Sequence, residues 1–128
     1  KAHGDLPAAK TDYRDGRTRV RFKECSPEEK ARLIAEDPAY GRVVCRCETI
    51  TEGEILNALR EEIPAATIDG VKRRCGAGMG RCQGGFCGPR VLELISKTLG
   101  ISPLDVLQDK AGTNVLLCET KQEENHHD

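Results

Sequence analysis

Seven cysteines stand in a chain of 128 residues, and five of them lie between positions 45 and 87. Four make two close pairs, Cys45-x-Cys47 and Cys82-x4-Cys87, separated by thirty-four residues. Two pairs of soft sulfur donors are enough to surround a metal centre with four thiolates. Cys45 and Cys47 are too close to favour a disulfide with each other, because bridge geometry is demanding. Each pair is read as preceding a helix start, where exposed N–H groups and the helix dipole stabilise thiolate and sulfide.

The second pair sits in "CGAGMGRCQGGFCG" (75–88), six of whose fourteen residues are glycine. An iron–sulfur cluster is bulky and anionic, and hydrogen bonds to its sulfurs tune its potential. Gly78, Gly80, Gly84 and Gly85 are therefore the candidate cofactor-binding positions, where bare backbone closes on sulfur. Between Gly70 and Leu92 the charged residues are Lys72, Arg73, Arg74, Arg81 and Arg90, all basic. They would offset a cluster of net charge about −2, although each alone also suits a solvated face. Zinc on four thiolates carries the same charge and is the rival; a Cys-x-Cys pair is unusual for it. A dithiol switch is weaker still, as no C-x-x-C is present. Cys75 is a spare ligand, a redox thiol or a packed residue; Cys25 and Cys118 default to structural thiols. Phe86 is expected to shield the centre from water, and Met79 to pack over it. "GAGMG" lacks the preceding strand of a dinucleotide loop.

The elements that must hold these loops are short, well-capped helices. "SPEE" places a cap at Ser26, Pro27 at the first helical position and Glu29 three after the cap, with Leu33 and Ile34 inward and an end near Asp37. "TEGE" repeats the box with Thr51 and Glu54. Ile55, Leu56, Leu59 and Ile63 then recur on one face up to Pro64. A short helix fits 67–74. "GPRVLELISKTLG" starts at Pro89, turns Val91, Leu92, Ile95 and Leu99 to one side and stops at Gly100. Ser102 opens a last short helix with Asp105 at its third position. "RTRVRF" (17–22) and "TNVLLC" (113–118) are candidate short strands. The fold class is thus mainly α: a small helical domain with two cysteine loops.

Composition narrows the function. The net charge of −1 disfavours nucleic acid and membrane surfaces as partners, and no apolar run reaches membrane-helix length. With no secretory pattern at its start, the chain is read as cytoplasmic. Aromatic residues make up 3% and charged residues 32%, so a small aliphatic core invites a staple such as a metal centre. Neither a nucleophile–base pair nor paired carboxylates is evident, so the chain is not expected to be a catalyst alone. His3, His126 and His127 lie in polar ends.

"VVCRCETITEGEI" followed by "IDGVKRRCGAGMGRCQGGFCGPRV" resembles the 2Fe–2S domain related to bacterioferritin-associated ferredoxin. It is most similar to the version at the C-terminus of bacterial FAD-dependent glycerol-3-phosphate dehydrogenases and related flavin oxidoreductases. The resemblance spans about residues 26–117. It implies a small helical fold in which Cys45, Cys47, Cys82 and Cys87 hold a 2Fe–2S cluster and pass electrons. Flavin in a catalytic domain would be the source and an external acceptor the destination. Bacterioferritin-associated ferredoxin itself has two residues between its second pair of cysteines. The four here match the dehydrogenase-linked version, which lowers the expectation of a ferritin partner. The alternatives are a zinc-stabilised interaction module appended to an enzyme and a ferritin-partner ferredoxin. The division expected is a linker or tail of a preceding flavin domain over 1–25, the cluster domain over 26–118 and a disordered polar tail over 119–128.

Overall fold

The computed structural model describes residues 19–120 continuously, with 8, 10–12 and 14 before them. Four α-helices carry it: α1 (Pro27–Glu36), α2 (Glu52–Arg60), α3 (Ile68–Cys75) and α4 (Gly88–Leu99). Strands β1 (Val43–Cys45) and β2 (Ile50–Thr51) form one antiparallel hairpin with an irregular register, Val43 opposite Thr51 and Cys45 opposite Ile50. Single turns of 3-10 helix lie at Phe22–Glu24, Pro38–Gly41 and Pro103–Asp105. Residues 121–128, most of the expected polar tail with its histidine pair, lie outside the described residues, as do His3, Arg17 and Thr18.

Local chemistry explains the helix starts. Ser26 and Thr51 each accept from the N–H three residues on, and Glu29 and Glu54 reach back to the cap N–H, closing both boxes. Thr67 caps α3 through Gly70 N–H, and Ser102 caps the final 3-10 turn through Leu104 N–H. Gly100 ends α4 at φ 65°, a left-handed conformation that a side chain resists.

The core lies where α2, α3 and α4 meet. Ile55 and Leu59 from α2, Val71 from α3, Val91 and Ile95 from α4, and Val106 are all buried. Each such side chain contributes about 1.5–3 kcal/mol by leaving water. Cys45 and Cys87 belong to the same cluster, so the core and the cysteine site share a wall.

Several expectations are corrected. Helix α1 buries none of its residues, and Ile34 is exposed, because α1 packs mainly on the following 3-10 turn. Helix α2 ends at Arg60, which leaves Ile63 exposed. The described part of 17–22 forms no strand: Phe22 turns inward, stacks on Tyr40, and gives its N–H to Glu54 at 3.2 Å. Residues 113–118 make one isolated bridge, Leu107 with Asn114, and no strand, with Leu117 fully out in solvent.

Tyr40 lies flat on Gly53, whose absent Cβ would sit 2.7 Å from the ring. Gly53→Ala is expected to cost about 1–3 kcal/mol through overpacking. Urea unfolding measures it, and a loss under about 0.5 kcal/mol would mean the ring moves freely.

Candidate metal centre

The first cysteine loop is the tip of the hairpin. Cys45 closes β1 and points into the core; Cys47 sits in the turn and is exposed. The pair thus lies within a β-hairpin whose second strand, β2, runs into α2, where a loop leading straight to a helix was expected. Cys87 does stand at a helix start, as the N-cap residue of α4.

The two loops meet. The Cys47 thiol donates to Cys82 Sγ at 3.5 Å, and Cys45 lies near enough to Cys87 for its charge to raise that thiol. All four line one open cleft of about 670 Å3, with Arg42, Arg46, Glu52, Phe86 and Arg90 on its walls. The sulfurs are thus gathered as two cross-loop pairs. Among the described residues no three Cys, His, Asp or Glu side chains converge on a point that would hold a single ion.

Backbone shapes this approach at two glycines. A Cβ on Gly80 would lie 2.1 Å from Cys47 Cβ and 3.1 Å from its Sγ, so only glycine lets the loops come this close. Gly84 has φ 83°, which a side chain rarely adopts. In the turn it makes, Gly85 N–H donates to the Cys82 carbonyl at 3.0 Å. Cys82 is pulled below its ordinary range by the N–H of Phe86, the Cys47 thiol, and the N–H groups of Gly84 and Gly85. Gly78, also at positive φ, packs its backbone near Gly84. Cys87 is pushed the other way, to about 11, chiefly by burial and then by the charge of Cys45. Ionising Cys87 therefore needs nearby positive charge, which iron or zinc would supply.

The cationic surround differs from the expected one. Arg73 pairs with Asp109, and Arg74 with Glu61; Lys72 bonds Gln83. Of the five predicted bases only Arg90 lines the cleft, joined by Arg42 and Arg46. Arg42 and Arg90 both grip Glu52: Arg42 through Nε at 3.0 Å and Nη2 at 2.9 Å, Arg90 through Nη2 at 3.0 Å. Glu52 is buried, and Arg42 first, then Arg90, hold its carboxyl at about 2. The group fastens the hairpin, α2 and α4 across the site. Sequence reading missed it, since its partners lie 10 and 38 positions away. Because the folded value lies below the ordinary 4.5, this stabilisation is complete above about pH 5 and fades as pH falls toward 2. Glu52→Gln is expected to lose about 2 kcal/mol at pH 7, after allowance for the half-exposed arginines. The deficit narrows on acidification in paired denaturation curves; a deficit constant with pH would contradict the ion-pair origin.

Phe86 does not shield the site: it is 88% exposed on the cleft rim. Met79 is likewise exposed and lines a different, basic depression beside Arg19 and Arg21. Among the described residues no element covers either of them. Cys75 stays apart from the four, its thiol donating to Val71 carbonyl at 3.3 Å, and burial raises it to about 11. The Cys25 thiol donates to Arg21 carbonyl, and Cys118 is exposed.

Comparison with known families decides the class: residues 43–97, which contain all four cysteines, match the BFD-like [2Fe-2S] binding domain. The segment is a BFD-like 2Fe–2S domain. Relatives of the BFD-like domain sit in oxidoreductases. A glycerol 3-phosphate dehydrogenase of Caloramator mitchellensis is 48% identical over 103 residues, covering 80% of this chain and 22% of that protein. One subunit of the opine oxidase of Rhizobium meliloti is 45% identical over 65 residues, 51% of this chain and 14% of the relative. One subunit of the anaerobic glycerol-3-phosphate dehydrogenase of Escherichia coli is 33% identical over 64 residues, 50% and 12% respectively. The chain thus spans about a fifth or less of these curated relatives. No solved structure gives a significant match. Among the described residues of the BFD-like domain and its flanks, no helix is long and apolar enough to cross a membrane.

Proposed function

We propose that Cys45, Cys47, Cys82 and Cys87 ligate one 2Fe–2S cluster, and that the chain relays single electrons between a flavin-bearing catalytic part and an external acceptor. The observation that carries the ligand assignment is the two-by-two sulfur arrangement. Two irons bridged by sulfide each need two thiolates, whereas one zinc needs four around a single point. Cross-loop pairs, Cys47 with Cys82 in contact and Cys45 near Cys87, suit the former. The cluster, when bound, supplies the one-electron chemistry.

This chain's own residues do the rest. Gly84, Gly85 and Phe86 N–H groups steady the charge on Cys82. Core side chains keep water from Cys45 and Cys87. Arg42 and Arg90, held by Glu52, bring positive charge to the cleft. Glycerol 3-phosphate oxidation on FAD in an adjoining domain is the parent reaction we favour, supported by the similarity to dehydrogenases of that name. A cytoplasmic setting accords with free cysteines throughout.

Protein purified without air should show visible absorption, an EPR signal on reduction, and about two irons and two sulfides per chain. A colourless protein holding one zinc after anaerobic reconstitution would sink the proposal.

A further inference from the structure

We infer that the Cys47/Cys82 end of the cleft is a docking face for an acidic redox protein that binds transiently; this rests on the cluster proposed above. The four cysteines are unequally covered. Cys45 and Cys87 are 1% and 2% exposed, whereas Cys47 is exposed and Cys82 partly so. Electron tunnelling falls steeply with distance, so a partner must sit at the open end.

That end is equipped for a partner. Phe86, four residues after Cys82 and just before Cys87, presents almost its whole ring to solvent. Exposed aromatic rings of this kind are the side chains on which interface hot spots centre. Arg46, between the first two cysteines, and Arg81, just before Cys82, are both exposed. Among the described residues no carboxylate lies in ion-pair range of either, whereas Arg42, Arg73, Arg74 and Arg90 are all committed to carboxylates. A lone ring with Arg46 on the same cleft and Arg81 adjoining Cys82 in the chain is the make-up of a weak, electrostatically steered encounter. A permanent interface would be broader and more apolar. Charge complementarity then fixes the partner's surface as acidic.

The test uses the holo chain reduced with dithionite and mixed in stopped flow with plastocyanin, an acidic oxidant, or cytochrome c, a basic one. One electron leaves the cluster and converts one Cu(II) to Cu(I) or one haem Fe(III) to Fe(II); no proton moves. Plastocyanin should react faster than cytochrome c at low salt and slow by about tenfold or more as salt screens the face. The Arg46→Glu/Arg81→Glu double variant should slow plastocyanin by about tenfold or more. Phe86→Ala should slow plastocyanin severalfold but leave ferricyanide, too small to use an anchor, unchanged. Faster reaction with cytochrome c, rates indifferent to salt, or variants as fast as wild type with the visible band intact overturn the docking face alone. Absence of the visible band in the wild type overturns the cluster reading and this face with it.

Discussion

Cys82→Ser and Cys87→Ser each yield protein without the visible absorption of a 2Fe–2S centre, and stability falls by about 3 kcal/mol or more, because metal binding free energy is folding free energy in so small a domain. The two losses should differ in kind. Cys82 lies at the open end beside Cys47, so its serine retains some weak, oxygen-ligated iron. Cys87 is buried in the shared wall of site and core, so its serine also places a hydroxyl against Val91 and its neighbours. Cys25→Ser, whose thiol merely bonds the Arg21 carbonyl, leaves the spectrum intact. Iron and sulfide counts with thermal melts check all three, and cluster loss in the Cys25 variant would falsify the ligand set.

Gly80→Ala is the second large effect. Its Cβ would fall 2.1 Å from Cys47 Cβ, inside any tolerable contact, and the neighbour is the stem of a cysteine rather than a yielding side-chain tip. Either the hairpin or the glycine loop must withdraw, separating Cys47 from Cys82. The cost is about 3 kcal/mol or more, with cluster retention sharply reduced after anaerobic reconstitution. Gly84→Ala, whose Cβ meets nothing within 4 Å, serves as the contrast: only backbone strain opposes it, about 1 kcal/mol. Equal behaviour of the two variants would mean that close approach of the loops is not what Gly80 provides.

What could be read from the chain was what depends on near neighbours. Ser26 with Glu29 and Thr51 with Glu54 are local bonds, and both boxes form. The four cysteines line one cleft because the two loops that carry them, with α2 and α3 between them in the chain, fold back on each other. What was not legible depends on distant partners. The hairpin has strands of three and two residues, too short for alternation to register. Ile63 continues the apolar face of α2 in sequence, but the helix stops before it. Phe86 is apolar and flanked by ligand candidates, yet burial needs a covering element, and among the described residues none passes over it. Lys72, Arg73 and Arg74 look like free charge in sequence, and only the tertiary fold shows them bonded to Gln83, Asp109 and Glu61. Glu52 reads as an ordinary first-turn acid until Arg42 and Arg90 arrive on either side of it.

Thr51 is at once the last residue of β2 and the cap of α2, and Cys87 passes directly into α4. Neither cysteine loop is joined to its following helix by a slack connector. Adding or removing an electron redistributes charge, and the surrounding atoms must rearrange to suit; that reorganisation energy slows transfer. Here the sulfur-bearing loops are grafted onto helices whose own positions are fixed by core packing and by the Glu52 clamp, so the dipoles near the site have little room to swing. Dispensing with linkers is therefore a kinetic property as well as a structural one: the fold trades adaptability at the site for a small nuclear response each time the charge changes.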